Sequence, residues 1–84
     1  MEVIHIKNQF PGSVYIGRGS PWGNPFIIGK HGNRVEVIAR FRVYAEKRMV
    51  AEPDWLKPLK KAEALVCFCS PQECHGDVLA SLLK

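Results

Sequence analysis

The arrangement of this chain depends on residues 64–69, which read Ala64-Leu65-Val66-Cys67-Phe68-Cys69. The run is continuously apolar, has the length of a strand and stops at a Ser-Pro pair. A strand with one face in water alternates polar and apolar residues, so the absence of alternation predicts a strand that is covered on both faces. We therefore expect this segment at the centre of a small sheet.

Extended patterns at the N-terminus predict the neighbours of that strand. Residues 2–7 alternate, residues 14–16 resume an extended pattern, and Phe10-Pro11-Gly12-Ser13 between them has the composition of a type II turn. A tight turn between two strands predicts an antiparallel pair.

Helix signals follow in two places. Asn33 with Glu36 three residues later forms a capping-box pattern ahead of a broad apolar stripe. Residues 70–73 carry a second helix start, and Asp77 offers a fresh N-cap for an apolar C-terminal segment. Residues 1–84 are thus predicted to form a single α/β (α+β) domain. It has a small mixed three- to four-stranded sheet, one long helix and a short C-terminal helix.

Size and composition narrow the class of protein. With 84 residues, 46% of them hydrophobic, the chain predicts one folded domain, and no apolar run approaches the roughly 18–20 residues of a membrane span. The start Met1–His5 does not resemble a signal peptide, and three cysteines cannot all pair, so a reducing, cytoplasmic location is expected. A net charge of +4 favours anionic partners, including nucleic acid.

Residues 17–26 have the character of a binding loop. They read Gly-Arg-Gly-Ser-Pro-Trp-Gly-Asn-Pro-Phe, which excludes a regular helix or strand. Arg18 can bind a phosphate or carboxylate, Gly19 allows close approach of the backbone, Ser20 and Asn24 offer hydrogen bonds, and Trp22 can stack on a planar ring. The alternative is a rigid structural loop whose aromatic side chains cap the core.

Sulfur and imidazole groups cluster between residues 67 and 77. Cys67 and Cys69 lie two apart on a strand and share a face, and a short turn can return Cys74 and His75 towards them. One interpretation is a Cys₃His zinc site formed by these four residues, although C-x-C departs from the usual knuckle spacing. Another is catalytic, with Cys69 or Cys74 as nucleophile, a helix start that favours the thiolate, and Asp77 orienting His75. The third is packed, reduced cysteines with Asp77 as a helix cap.

The loop at residues 17–26, the Gly-Asn-Arg start of the long helix, the C-x-C pair and the Cys-His-Gly-Asp element together resemble the domain of unknown function 4326 family of bacteria, archaea and phages. The resemblance implies no settled activity. It implies that the signature positions of the family are Arg18, Ser20, Asn24, Arg34, Cys67, Cys69, Cys74, His75 and Asp77.

Two functions are carried forward. In the first, residues 17–26 and 67–77 form a pocket for a phosphorylated small molecule or nucleotide, with Arg18 and Arg34 on the anion and with cysteine- or histidine-assisted chemistry. In the second, the chain is a zinc-stabilised module that binds nucleic acid or protein without catalysis. A small adaptor that contacts a partner through the aromatic side chains of the loop is a further alternative. The pocket requires that the two segments converge in space.

Overall fold

The computed structural model describes residues 1–68 and 74–83. Its strands and α-helices follow in the order β1 (Glu2–His5), β2 (Ser13–Tyr15), α1 (Arg34–Ala51), β3 (Ala64–Cys67) and α2 (His75–Leu82), with short 3₁₀-helices at Ile6–Asn8 and Lys57–Leu59. The predicted class, with a three-stranded sheet, one long helix and a short C-terminal helix, is confirmed. Within the described ranges, neither helix has the length and apolar composition needed to cross a membrane.

Strand β3 is the central strand, in the sheet order β1-β3-β2. All four of its residues are buried, as the continuous apolar run predicted. Both pairings are parallel, with Val3 of β1 and Val14 of β2 each opposite Leu65. The predicted antiparallel pair is therefore wrong, and the described sheet is parallel rather than mixed.

The local turn between β1 and β2 nevertheless forms. The amide of Ser13 donates to the carbonyl of Phe10 at 3.0 Å, and Gly12 adopts φ 99°, which glycine tolerates best. The turn sends the chain back to the level at which β1 began, because Glu2 and Ser13 both lie opposite Ala64. The residues of a turn determine only a local reversal of the chain. In the sheet, β2 pairs with the edge of β3 that β1 leaves open.

The long helix begins where the capping box predicted. Asn33 Oδ1 accepts from the amide of Glu36 and Glu36 Oε1 accepts from the amide of Asn33, both at 2.9 Å. Val37, Phe41 and Ala45 form the buried face of α1. Phe41 and Ala45 share a core with residues of β3 and α2, and α2 in turn packs on β1, β3 and α1.

The start of α2 differs from the prediction. Cys74, not Asp77, is the N-cap: the amide of Gly76 donates to Cys74 Sγ at 3.3 Å, while Asp77 accepts from the amide of Cys74 at 3.1 Å. The helix start predicted at residues 70–73 lies outside the described residues. Gly76 permits close packing here, because a Cβ at this position would lie 2.8 Å from Ile16 Cδ1.

Candidate functional site

A cavity of about 200 Å³ lies where the carboxyl ends of β2 and β3 meet the starts of α1 and α2. Arg18 and Asn24 line it from the loop, and Cys67, Cys74 and His75 line it from the C-terminal segment. Parallel strands gather their carboxyl ends at one edge of the sheet, which is where α/β domains assemble ligand sites. The two segments that sequence reasoning required to converge thus line one cavity.

Among the described residues that line this cavity, the two charged side chains are both arginines. Arg18 is exposed, Arg34 is half-buried in the first turn of α1, and both line the cavity. The described residues that line it include no aspartate or glutamate. Most of the remaining wall is apolar or aromatic, formed by Tyr15, Phe26, Ile28, Val37, Ile38 and Phe68. Such a lining favours a ligand that combines an anionic group with an apolar or planar part.

Two aromatic side chains in this wall were not predicted as site residues. Phe68 is 63% exposed and meets Tyr15 edge to face, with ring centroids 6.2 Å apart. The hydroxyl of Tyr15 donates to the carbonyl of Arg18 at 3.2 Å, which ties the wall to the arginine-bearing loop. The sequence did point to Phe68, because this aromatic residue lies between the two cysteines of the C-x-C pair. Its exposure depends on the strand ending at Cys67, which the apolar run did not show.

His75 is held as a neutral imidazole. Its side chain is 7% exposed, and its Nε2 lies 2.7 Å from the carbonyl oxygen of Ile16. Burial lowers the pKa of His75, the positive charge of Arg18 lowers it further, and the bond to Ile16 opposes both. Since a carbonyl only accepts, Nε2 carries the proton and Nδ1 has the free electron pair. His75 can therefore take up a proton at Nδ1.

Cys67 and Cys74 meet in the wall of the cavity, with their Sγ atoms 3.1 Å apart. The hydrogen bond with Cys67 and burial raise the pKa of Cys74 well above that of an ordinary thiol, although the Gly76 amide opposes this. The direction is opposite to the stabilised thiolate that a helix start favours. Cys69, the other predicted nucleophile, lies outside the described residues.

The predicted zinc site is not assembled by the described donors. In residues 1–68 and 74–83, no three His, Cys, Asp or Glu side chains are grouped so as to hold a metal ion. Cys67 and Cys74 contact each other, whereas His75 Nε2 donates a hydrogen bond to the carbonyl of Ile16. A tetrahedral zinc site needs four donors, so this set alone does not fit one.

Residues 20–22, in the middle of the loop, anchor it. Trp22 Nε1 donates to the carbonyl of Trp55 at 2.8 Å, and Trp55 Nε1 donates to the carbonyl of Pro21 at 3.0 Å. Ser20 Oγ donates to the carbonyl of Gly17 at 2.7 Å. Neither Trp22 nor Ser20 lines the cavity. For Trp22 and Ser20 the geometry therefore matches the alternative of a rigid structural loop.

Three further residues that were predicted for the site, Asn24, Gly19 and Asp77, differ from one another in their surroundings. Asn24 lines the cavity, but its side chain donates to the carbonyl of Val37 at 3.4 Å and accepts from the amide of Phe26 at 2.9 Å. Gly19 has φ 90° with open space around it. Asp77 lines a separate cavity between α1 and α2 and not the first cavity. Its carboxylate caps α2 by accepting from the amide of Cys74.

Comparisons with known proteins show the family to which the chain belongs. Residues 4–84 match the family described as Domain of unknown function (DUF4326). The chain is 34% identical over 86 residues to the "Uncharacterized 12.4 kDa protein in nrdA-td intergenic region" of Enterobacteria phage T4, an alignment that covers 98% of this chain and 75% of the phage protein. No solved structure matches the chain. Since the family match covers residues 4–84, nearly the whole chain, the chain belongs to the DUF4326 family.

Proposed function

We propose that the cavity binds a small anionic ligand of the phosphorylated or nucleotide-like class. The observation that carries this proposal is the pair of arginines, Arg18 and Arg34, at one cavity whose described lining contains no carboxylate. A guanidinium forms two parallel, charge-assisted hydrogen bonds with a phosphate oxygen pair, whereas a nearby carboxylate would repel that ligand.

The aromatic wall supports a planar group beside the anion. Phe68 is the best placed ring, because it is exposed and lines the cavity, whereas the indole of Trp22 is bonded to Trp55. An exposed ring is worth about 1–3 kcal/mol per stacked base. A cavity of about 200 Å³ is smaller than the roughly 300–1,000 Å³ of sites that enclose a whole drug-sized ligand. Part of a nucleotide would therefore lie at the open rim.

Assisted chemistry is the second part of the proposal, and His75 is its centre. A neutral imidazole in the wall of an anion cavity can act as a general base. Cys74 retains its proton, which makes it a weak nucleophile in this arrangement.

Ligand-induced thermal stabilisation tests the binding proposal. The probes are inorganic phosphate, a nucleoside and its 5′-monophosphate, measured on the unaltered protein, Arg18→Ala and the matched control Arg40→Ala. Arg40 is exposed on α1 and does not line the cavity. We expect the monophosphate to stabilise the unaltered protein and Arg40→Ala by about 2.7 kcal/mol at one hundred times the dissociation constant. The stabilisation should be lost in Arg18→Ala. Equal shifts in both variants, or no shift with any anion, would contradict the proposal.

A zinc-stabilised module that binds nucleic acid or protein is the second candidate, favoured by the contact between Cys67 and Cys74 alone. Metal analysis of protein purified without added zinc tests it. One zinc per chain, with unfolding on chelation, would support the module. A metal-free and fully folded sample would remove it.

A further inference from the structure

Cys67 and Cys74 form a thiol pair that the proposed binding function does not use. Their side chains are 1% and 2% exposed, their Sγ atoms are 3.1 Å apart, and no disulfide joins them. Cys67 ends β3 and Cys74 caps α2, so the pair is brought together by the packing of the helix start on the sheet. Both residues line the cavity.

We propose that Cys67 and Cys74 are a redox modification site that converts between a dithiol and an intramolecular disulfide. The two sulfurs are separated by roughly 1 Å more than the S–S bond of about 2.05 Å, so a small approach of the helix start suffices. The oxidant is a hydroperoxide or a low-mass disulfide. Both side chains line the cavity, and almost none of their surface is exposed. The oxidant therefore reaches the sulfurs from the cavity.

The step balances with hydrogen peroxide as the oxidant. The sulfur of Cys67 attacks one peroxide oxygen, the O–O bond breaks, and Cys67 becomes a sulfenic acid as water is released. The sulfur of Cys74 then attacks the sulfur of Cys67, the S–O bond breaks, and a second water leaves with the thiol proton of Cys74. The two thiols together lose two electrons, which the peroxide gains. The balance is the same if Cys74 is oxidised first and Cys67 attacks it.

The redox site also bears on ligand binding. A ligand in the cavity covers both sulfurs and blocks the route of the oxidant, so binding slows disulfide formation. This coupling rests on the proposed function, whereas the disulfide itself rests on the thiol pair alone.

Mass spectrometry of the full chain tests the site in the variant Cys69→Ser, which retains Cys67 and Cys74. Treatment with hydrogen peroxide or oxidised glutathione should lower the mass by about 2 Da, the two thiol hydrogens, and dithiothreitol should restore it. The matched control Cys67→Ser/Cys69→Ser has one thiol and should show no such loss. If Cys69→Ser fails to fold, peptide mapping of the oxidised unaltered protein should show a Cys67–Cys74 linkage.

Separate results decide the redox site and its coupling to ligand binding. Two thiols that remain open to alkylation after oxidation, or a gain of oxygen without disulfide formation, would overturn the redox site, as would one tightly held zinc per chain. With 5′-AMP at ten times its dissociation constant, oxidation should slow about tenfold. A disulfide that forms at an unchanged rate while 5′-AMP still raises the melting temperature overturns the coupling and leaves the proposed function standing. If 5′-AMP changes neither the melting temperature nor the oxidation rate, the result counts against the proposed function and leaves the disulfide standing.

Discussion

The two halves of the loop at residues 17–26 look alike in sequence and differ in the structure. In the first half, Arg18 is exposed and lines the cavity beside His75. In the second half, Trp22 is half-buried and its indole nitrogen donates to the carbonyl of Trp55. Their surroundings thus distinguish Arg18, which lines the cavity, from Trp22, which anchors the loop.

The anchor extends into α1. Arg48 lies over the ring of Trp55, with its guanidinium carbon 4.8 Å from the ring centroid, and pairs with Glu52 at 2.8 Å. Arg48 also donates to the hydroxyl of Tyr44 at 2.6 Å. The middle of the loop is thus held by α1 and by the connector that contains Trp55.

Removing the centre of the anchor should have the largest effect. Trp55 is 7% exposed and contacts Pro21 and Arg48. Trp55→Ala should lower the free energy of unfolding by about 3–5 kcal/mol, since a buried aromatic side chain leaves a cavity. Urea denaturation with Arg18→Ala as the reference measures this, and the reference should change by no more than about 0.5 kcal/mol. A loss below about 1 kcal/mol for Trp55→Ala would break the comparison.

The contact between the two halves should be the next most sensitive point. A Cβ at Gly23 would lie 2.8 Å from the carbonyl oxygen of Gly17 and 3.3 Å from Arg18 Cα, and neither backbone atom can rotate away. Gly23→Ala should therefore cost about 1–3 kcal/mol in urea denaturation and weaken the nucleotide response. Unchanged stability with an unchanged response would mean that the halves move independently.

On the cavity side, stability should depend on pH through His75. Burial lowers the pKa of His75 in the folded protein, whereas in the unfolded chain a histidine titrates near about 6.5. The unfolded state thus binds more protons, so stability should fall as the pH drops below about 6.5, by at most about 1.4 kcal/mol per pH unit. Denaturation curves of the unaltered protein and His75→Gln check this. Identical pH dependence in both would rule out His75 as the source.

The smallest expected effect separates the halves most directly. Trp22→Phe removes the donor to the carbonyl of Trp55 and should cost about 1 kcal/mol of stability while the nucleotide response persists. Arg18→Ala should show the reverse pattern, with near-native stability and no response. If Trp22→Phe loses the response and Arg18→Ala keeps it, the roles assigned to the two halves are exchanged.

Local patterns predicted a large part of the fold. The capping box at Asn33, the turn at Phe10–Ser13 and the burial of β3 all depend on residues close together in the chain, and all are present. The convergence of the loop and the Cys-His element was also inferred, because both follow strands of one sheet. The site residues themselves stay predictions, and Cys69 lies outside the described residues.

The amino-acid order alone was enough to specify where α1 begins and which strand is buried, since neighbouring residues supply those interactions. It was not enough to specify the parallel pairing of β1 and β2 with β3, the bond from Trp22 to Trp55, or the contact of Cys67 with Cys74. Those features depend on which distant surfaces pack together, and residues that are far apart in the chain carry no local signal of their partner.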